Sequence, residues 1–503
     1  MKKIYILLFI LSACGGPKEI TGDSIESTVL SYEVQPNLTA EIPFVFVQFE
    51  TAADEKGEIQ LAFTNEGWGE KDLFKSVKNL KISPKANVEF LKRENEIKLK
   101  GKPNKKYTVS YEIIQDFKEK VTTKNTFRPI INSNYFHVFG KSLFMMPNSN
   151  FTDDNPSVEI QILWKSEFGS YDITNSFGTE KMQKFKAKFS EFSSSIFLGG
   201  KLNLYEKLWN QNNLVLSTPE TWKNVDINRL QTDLYSIVGQ QRDFWKDNNS
   251  ESTTVTLIKT FENCPNENNC LNSCEGRGLT NSFATYCSDN LMTTNERLNW
   301  LFAHELFHHW VGSTIVNESE EMEYWFSEGF TDYFAYKLLL RSGILSLEDF
   351  IAKINEDVIE PHYNSTLKTK PNGEINAENF WSDMEWEKLP NRRGLIYAFY
   401  LDTKIKQQEE DNRSLDNFMR DILYNTTTNK VKFNQHVFLE VLHGYKLDDY
   451  VMDYENFIEQ GNPIDLSKLN IIGIYFEAGK GKVPFMHIQE MEASDKIARF
   501  LMR

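Results

Sequence analysis

The chain is 503 residues long, which is enough for two or three domains with sizeable hydrophobic cores. Hydrophobic residues make up 40% of it and charged residues 25%, a balance typical of a soluble globular protein. Acidic residues outnumber basic residues by 71 to 56, and the net charge of −15 argues against nucleic acid as a partner.

The N-terminus predicts a bacterial lipoprotein signal peptide. A basic start, MKK, precedes the apolar run 4–11, which is too brief to span a bilayer. The next residues, LSAC, resemble a lipobox, so we expect cleavage of residues 1–13 and lipid attachment to Cys14. Residues 14–27 are small and polar and predict a tether. The protein is then expected in the cell envelope, periplasmic or surface-exposed and held to the membrane by its lipid; an ordinary cleaved signal peptide is the alternative.

The range 28–165 is predicted to form an antiparallel β domain. Short β-type runs are separated by turns, and the alternation of apolar and polar residues within them is typical of half-buried strands. The runs are IPFVFVQF, EIQLAF, ANVEFL, NEIKLK, KYTVSYEII and SVEIQILW. No cluster of His, Cys or acidic pairs suggests chemistry in this range, so we interpret it as a scaffold.

Four cysteines follow in a mixed region that also contains a predicted helix near Leu230 to Trp245. They are Cys264, Cys270, Cys274 and Cys287. In an oxidising compartment their clustering predicts two disulfides with three alternative connectivities. A structural zinc site is the competing interpretation, although the spacing matches no common zinc ribbon.

A glycine-containing segment, GRGLTNSF, lies inside the cysteine region. Its candidate substrate-binding residues are Gly276, Gly278, Leu279 and Asn281. Glycines allow another backbone to approach closely, and a strand edge at this place could pair with an extended peptide. A turn with no binding role is the alternative.

The segment that follows contains an H-E-x-x-H motif formed by His304, Glu305 and His308. An apolar stripe around the motif predicts a helix, on which positions i and i+4 face the same way. The two imidazoles can therefore chelate one ion, and Glu328 is the candidate third ligand. Two imidazoles and a carboxylate leave one position of a zinc ion open, as in catalytic sites. Buried core histidines without a metal are the alternative.

Glu328 opens a second predicted helix, FTDYFAYKLLLR. Asp332 lies one turn further on the same face, where it could accept the remaining ring N–H of a histidine ligand. Glu305 is placed to take a proton from a zinc-activated water and return it to a leaving amine. Hydrolysis of a peptide bond is the reaction that this set favours. The rest of the chain is predicted to be mainly helical, with a short strand and helix at the end.

The residues HELFHHW, EYWFSEGFTDYFAYKLLLRSGILSLEDF, RRGLIYAFYLDTKI and SLDNFMRDILY together resemble the glycyl aminopeptidase family of zinc peptidases. These are gluzincins, related to thermolysin and aminopeptidase N. The resemblance implies an α+β multidomain protein with a thermolysin-like, mainly helical catalytic domain, which we place at 166–465. It also implies one zinc ion held by His304, His308 and Glu328, with Glu305 as general base and Asp332 orienting a ligand.

The chain departs from that family at three places. Where relatives have a tyrosine that donates to the oxyanion, this chain has Asn391, and Tyr397 one turn beyond Gly394 is a second candidate oxyanion partner. Where aminopeptidase N types have a glutamate for the substrate α-amine, this chain has Asn281. The tail 466–503 is too short for the complete PDZ domain in which relatives often end.

Two hypotheses of different classes follow. The first is a lipid-anchored zinc metallopeptidase, with aminopeptidase action as one form of it, that cleaves a peptide or protein substrate outside the cytoplasm. The second, favoured by Asn391, is a pseudo-peptidase that retains zinc and binds peptides or a partner protein without cleavage. A metal-free adhesion scaffold is a third interpretation. The sequence does not indicate whether the protein forms oligomers.

Overall fold

The computed structural model describes residues 29–67, 69–151, 157–166, 169–209, 212–247, 253–261, 274–380, 383–408, 413–471, 473–478, 483–489 and 494–503. The predicted signal peptide and tether, the lipidation residue Cys14, and Cys264 and Cys270 lie outside these ranges. Within these ranges, no helix combines the length and apolar character needed to cross a membrane.

The N-terminal part of the described chain is built mainly of β-strands. Its strands are β1 Leu30–Asn37, β2 Phe44–Ala52, β3 Glu58–Ala62, β4 Val77–Ser83, β5 Asn87–Leu91, β6 Glu96–Lys100, β7 Lys106–Ile114, β8 Ile130–Ile131, β9 Tyr135–Phe139, β10 Met146–Pro147, β11 Ser157–Trp164, β12 Asp172–Asn175, β13 Met182–Lys188 and β14 Ile196–Gly200. Two short helices, α1 Gly140–Leu143 and α2 Phe189–Ser193, lie among them.

These strands form three sheets, with the strand orders β13-β11-β1-β2-β7-β4, β10-β3-β6-β5 and β12-β14-β9-β8. Neighbouring strands are antiparallel except β1 and β11, which are parallel. In β7 buried and partly exposed residues alternate, as its sequence predicts. A common core of buried residues runs from Leu30 to Phe197. The predicted antiparallel β architecture of this part is confirmed.

A mixed five-stranded sheet follows, with the order β15-β16-β17-β19-β18. Its elements are β15 Asn203–Trp209, β16 Asn212–Thr218, α3 Ile227–Trp245, β17 Thr253–Lys259, β18 Cys274–Leu279 and β19 Ser282–Cys287. β17 lies between two parallel neighbours and is buried on both faces, which is why its sequence, TTVTLIK, is rich in β-branched residues. Among the described strands, β18 pairs with β19 alone and forms an edge of the sheet.

The remainder of the chain is mainly helical and ends in a β-hairpin and a helix. Its elements are α4 Asn295–Phe307, α5 Tyr324–Ser327, α6 Gly329–Arg341, α7 Leu347–Lys353, α8 Glu360–Asn364, α9 Ala377–Phe380, α10 Met384–Gln408, α11 Leu415–Asn429, α12 Gln435–His443, α13 Tyr450–Tyr454, β20 Ile474–Ala478, β21 Pro484–Ile488 and α14 Ser494–Met502. The predicted α+β organisation, a β-rich part followed by a mainly helical part, is confirmed.

Helices α5 and α6 approach α10 closely at a pair of glycines. A Cβ atom on Gly329 would lie 2.5 Å from the Cα of Gly394, and a Cβ on Gly394 would lie 1.8 Å from the carbonyl oxygen of Trp325. Neither position has room for a side chain. This contact fixes the start of α6, and therefore Glu328, against the long helix α10.

Candidate metal centre

Helix α4 carries the H-E-x-x-H motif and packs on the five-stranded sheet. Its N-cap is Thr294, whose side chain accepts a hydrogen bond from the backbone N–H of Arg297. The side chain of Thr293, the preceding residue, donates to the carbonyl of Ser288. Phe302 is fully buried and meets Phe283 of β19 edge to face, with ring centroids 5.8 Å apart. The helix is therefore held by an apolar face while its last turn carries the histidines.

The structure brings His304, His308 and Glu328 together. The Nε2 atoms of the two histidines lie 3.1 Å apart. The carboxylate of Glu328 lies 3.4 Å from Nε2 of His304 and 3.7 Å from Nε2 of His308. One potential ligand atom from each residue lies within 4.8 Å of the others. In the described part of the chain, this is the group of three that the geometry offers to a metal ion.

The opposite ring nitrogens of both histidines have hydrogen-bond acceptors. Nδ1 of His304 lies 2.8 Å from a carboxylate oxygen of Asp332, and Nδ1 of His308 lies 2.9 Å from the carbonyl oxygen of Val311. A carboxylate and a carbonyl can only accept here, so we assign the hydrogen of each neutral ring to Nδ1. Both Nε2 lone pairs then point into the cluster, as a metal ligand requires.

The carboxylates also control the protonation of the cluster. Burial lowers the pKa of His304, but Asp332 and Glu328 outweigh it and raise that pKa well above its usual value. His308 follows the same pattern, with burial opposed by Glu328 and a raised pKa as the result. Burial raises the pKa of Glu328, yet the two histidines reverse this effect and hold it well below the ordinary range. The cluster is therefore an electrostatically coupled set with an ionised glutamate.

The residues fit a zinc ion by both chemistry and spacing. Tetrahedral ligands at zinc–nitrogen distances of about 2.0–2.1 Å are separated from one another by about 3.3 Å. The three distances within the cluster, 3.1, 3.4 and 3.7 Å, bracket that value. Two imidazoles and one carboxylate are also a donor set that zinc accepts in catalytic sites.

Glu305 lies between the histidines in sequence and faces strand β18. A Cβ atom on Gly276 would lie 2.9 Å from Cγ of Glu305, and one on Gly278 would lie 3.7 Å from its carbonyl oxygen. The absence of side chains at these glycines thus lets the edge strand run directly beside the motif. Two of the predicted substrate-binding residues, Gly276 and Gly278, therefore lie beside Glu305.

The other two predicted substrate-binding residues lie at the end of the same strand. Leu279 is the last residue of β18, and Asn281 belongs to the two-residue turn that leads to β19, with a φ of 47°. The opposite end of β18 is tied to β19 by a disulfide between Cys274 and Cys287, which are direct partners across the two strands. This is one of the three pairings that the sequence left open for Cys274, and it leaves Cys264 and Cys270 for the second predicted disulfide.

The two candidate oxyanion partners lie on α10 but differ in surroundings. Asn391 is 8% exposed, and its Oδ1 has no hydrogen-bond partner among the described residues. Tyr397 is six residues further, which corresponds to a rotation of about 240° around a helix. Its ring meets Trp325 edge to face in the helical core, with centroids 6.1 Å apart. The two side chains therefore leave α10 on different sides.

Two features of the surroundings of the cluster were not predicted from the sequence. They are the backbone carbonyl that accepts from His308 and the carboxylate of Glu320. The carbonyl of Val311 is available to His308 because α4 ends at Phe307 and the chain reverses at Gly312, whose φ is 108°. A glycine after a helix is a common stop signal, but a backbone acceptor cannot be predicted from residue types. Glu320 also belongs to the surroundings: burial raises its pKa first, and the charge of Glu328 raises it further.

A β-rich part followed by helices that present a His–His–Glu cluster beside a strand edge defines the class of an aminopeptidase-like peptidase. The M61 glycyl aminopeptidase family matches residues 297–401, which include the cluster. An aminopeptidase N family protein from Idiomarina loihiensis has the same fold, with a TM-score of 0.70, 16% identity, and coverage of 91% of this chain and 81% of that one.

Two fungal proteins are similar over a shorter region. Leucine aminopeptidase 2 of Yarrowia lipolytica is 26% identical over 147 residues, and leucine aminopeptidase 2 of Aspergillus niger is 25% identical over 138 residues. The match covers 27% of this chain and 22% of each relative. Together these similarities support the gluzincin aminopeptidase family for this chain, and the resemblance predicted from the sequence is confirmed.

Proposed function

We propose that this protein is a zinc metallopeptidase that hydrolyses peptide bonds with Glu305 as general base. The observation that carries the proposal is the convergence of the Nε2 atoms of His304 and His308 with the carboxylate of Glu328, beside Glu305 and the edge strand β18. A buried structural cluster would not need a strand edge that approaches it through glycines.

Each residue of the centre has a distinct role in this proposal. His304, His308 and Glu328 would hold the ion, and Asp332 keeps His304 in the tautomer that exposes Nε2. When bound, zinc supplies Lewis-acid chemistry that lowers the pKa of a water to about 7. The carboxylate of Glu305 would take the proton of the attacking water and pass it to the leaving amine.

The substrate would bind as an added strand along β18. An edge strand offers unpaired backbone N–H and C=O groups on its outer side, which pair with an extended peptide regardless of its side chains. Gly276 and Gly278 keep that edge close to Glu305. The similarity to leucine aminopeptidases favours removal of N-terminal residues, although Asn281 stands where aminopeptidase N types have the glutamate for the α-amine.

A library of short peptides, digested with and without a chelator, tests the hydrolase proposal. We expect cleavage that the chelator abolishes and that zinc restores. Glu305→Gln should abolish cleavage while zinc content stays at one ion per chain, because Glu305 is not a ligand. Glu296→Gln is the matched control, since Glu296 is exposed in the first turn of the same helix. Zinc-loaded protein that cleaves no peptide in the library would contradict the proposal.

A pseudo-peptidase that retains zinc is the second candidate function, and Asn391 is the observation that favours it. An asparagine is shorter than the tyrosine of the relatives and would stabilise a developing oxyanion less well. If this alternative is right, the wild type binds peptides without cleaving them, and Asn391→Tyr gains cleavage. If wild type already cleaves and Asn391→Ala leaves the rate unchanged, Asn391 has no role in turnover.

We further propose that the protein is anchored in a bacterial cell envelope by a lipid on Cys14. The LSAC sequence and the apolar run before it support this localisation. Wild type expressed in bacteria should incorporate labelled palmitate and sediment with membranes, whereas Cys14→Ser should do neither. Recovery of an unlabelled wild-type protein in the soluble periplasmic fraction would favour an ordinary cleaved signal peptide instead.

A further inference from the structure

The start of β1 lies at one end of the six-stranded sheet, together with three loops. Tyr32 of β1 pairs with Phe49 of β2, Phe49 pairs with Val109 of β7, and Val109 pairs with Ile82 of β4. Because β1 and β7 start where β2 and β4 end, the loops 53–57, 84–86 and 101–105 meet at this end. We call these loops, with the adjoining residues Lys100 and Lys106, the lysine end of the β part.

Two of these loops are joined by backbone hydrogen bonds. The N–H of Ala53 donates to the carbonyl of Lys105 at 2.9 Å, and the N–H of Gly101 donates to the carbonyl of Gly57 at 2.8 Å. The third loop leads directly into β5, whose first residue, Asn87, pairs with Lys100 of β6. The three loops therefore form one continuous surface.

Four lysines at the lysine end are exposed and have no ion-pair partner among the described residues. They are Lys85, Lys102, Lys105 and Lys106. The Nζ of Lys100 lies 3.8 Å from a carboxylate oxygen of Glu58 and is therefore partly neutralised. The loop 53–57 adds Lys56 against Asp54 and Glu55, so an excess of positive charge remains at this end.

The rest of the molecule has the opposite charge. Residues 29–200 carry 23 basic and 22 acidic side chains, whereas residues 201–503 carry 30 basic and 46 acidic side chains. The net negative charge of the protein therefore belongs to the five-stranded sheet and the helical part. An anionic surface would attract the lysine end and repel the part that contains the metal centre.

The opposite end of the β part faces strand β18. Asp116 follows the end of β7 by two residues and accepts a hydrogen bond of 2.8 Å from Nε of Arg128. The ring of the neighbouring Phe127 lies 4.4 Å from the guanidinium carbon of Arg277 in β18. The strand beside Glu305 therefore lies toward the end of the β part that is remote from the lysine end.

We propose that the lysine end rests on a membrane surface that contains anionic phospholipids. Cys14 precedes Leu30 by 16 residues, a length of chain that spans at most about 55 Å. A lipid on Cys14 would hold the bilayer within this reach of the start of β1, and weak contacts then suffice because the effective concentration is high. Each lysine near an anionic surface strengthens binding by about fivefold. The strand beside Glu305 would then face away from the bilayer.

The orientation of the anchored protein rests on the lipid proposed for Cys14, whereas the attraction between the lysines and anionic lipid does not. A chain that carries no lipid therefore tests the lysine end by itself. Labelling with palmitate tests the anchor by itself, because it does not require the lysines. Either proposal can fail while the other stands.

Vesicle sedimentation of the mature chain, residues 14–503 with Cys14→Ser, is the experiment. Vesicles of phosphatidylcholine with about 30% phosphatidylglycerol should bind this chain at least about tenfold more tightly than vesicles of phosphatidylcholine alone. An increase in salt from about 0.1 M to about 0.5 M should remove this difference, because salt screens the attraction between exposed charges.

Two triple variants of the same chain locate the binding surface. Lys85→Gln/Lys102→Gln/Lys106→Gln should weaken binding to the anionic vesicles at least about tenfold, since three contacts with headgroups are lost. The matched control is Lys118→Gln/Lys120→Gln/Lys124→Gln, which removes the same charge from exposed lysines that follow the opposite end of β7. The control should bind like the parent chain, and circular dichroism verifies that both variants are folded.

The proposal is overturned if the parent chain does not bind anionic vesicles below about 1 mM lipid, if phosphatidylcholine alone binds it as well, or if the two triple variants bind equally. It is also overturned if the parent chain self-associates without lipid and the first triple variant does not, as sedimentation velocity would show. The lysine end would then be covered by the acidic part of a second copy rather than by a membrane.

Discussion

His304 and His308 each direct one ring nitrogen to the cluster and have the other engaged by an acceptor. The acceptors are of different kinds: Asp332 is charged and carried by α6, whereas the carbonyl of Val311 belongs to the loop after α4. A charged acceptor increases the basicity of its imidazole more than a neutral carbonyl does. His304 should therefore contribute more to metal affinity than His308.

Asp332→Asn tests the role of that charged acceptor. The amide can still accept from Nδ1 of His304, but the charge is lost, so we expect the affinity for zinc to fall by about 10- to 100-fold. The measurement is a competition titration with a zinc indicator. Asp243→Asn on the exposed face of α3 is the control and should leave the affinity unchanged. Equal affinities of both variants would show that Asp332 does not tune the site.

The raised pKa values of His304 and His308 predict how metal affinity depends on pH. Zinc binds the neutral imidazoles, so protons compete with the metal at any pH below the histidine pKa values of the folded, metal-free protein. Because Asp332 and Glu328 raise those values, the apparent affinity should start to fall at a higher pH than for a site with ordinary histidines. Zinc titrations across a pH series, with the released protons measured in weakly buffered solution, test this. A constant affinity from neutral to mildly acidic pH would contradict it.

At the scale of elements, the centre depends on how closely β18 and α4 approach. A Cβ on Gly276 would lie 2.3 Å from the ring of Phe283 and 2.9 Å from Cγ of Glu305, whereas a Cβ on Gly278 meets nothing closer than 3.7 Å. Gly276→Ala should therefore displace Glu305 and lower kcat at least about tenfold, and Gly278→Ala should be close to neutral. Peptide-cleavage kinetics of both variants check the difference. Identical kinetics would show that β18 does not control Glu305.

The contact between α6 and α10 is a second test at this scale. Gly394→Ala would place a Cβ 1.8 Å from a backbone oxygen, so we expect a loss of about 1–3 kcal/mol in the free energy of unfolding, despite the better helix propensity of alanine. Gly373→Ala is the control, because a Cβ there meets nothing within 4 Å. Chemical denaturation of the metal-free variants measures both. Equal stabilities would mean that the helices do not meet closely at Gly394.

Local patterns in the sequence were sufficient for most individual elements. The runs predicted as strands in the β region, among them KYTVSYEII, appear as strands, and the predicted helix near Leu230 to Trp245 is α3. Those predictions depend on periodicities of two and 3.6 residues, which are visible in one segment at a time. The parallel pairing of β1 with β11 depends on contacts between distant segments, so no local pattern indicates it.

The same limit applies to the functional residues. His304, His308 and Asp332 were predictable because one helical turn relates the two histidines, and another relates Asp332 to Glu328. Tyr397 was considered as an oxyanion partner from its spacing alone, which does not reveal what lies on each side of α10. The structure shows its ring against those of Trp325 and Tyr400 in the helical core.

Across the whole molecule, a buried ionic network ties α6, whose N-cap is Glu328, to the rest of the helical part. The Nζ atom of Lys337 in α6 lies 3.0 Å from a carboxylate oxygen of Asp402 in α10 and 2.6 Å from a carboxylate oxygen of Asp416 in α11. Lys406 pairs with Asp402 at 2.8 Å and donates to the carbonyl of Phe500 in α14. Helices α6, α10 and α11 thus meet at paired, buried charges, and α14 joins them through the carbonyl of Phe500. Removing one partner from such a network is strongly destabilising, so it holds α6 in a defined position.

The whole account depends on one divalent ion at His304, His308 and Glu328. The most direct measurement is the metal content of the purified full chain by mass spectrometry, for wild type and for the double variant His304→Ala/His308→Ala. We predict about one zinc per wild-type chain and almost none in the double variant, with both proteins folded by circular dichroism. Wild type with less than about half an equivalent after zinc loading, or a double variant that retains its zinc, would contradict the account.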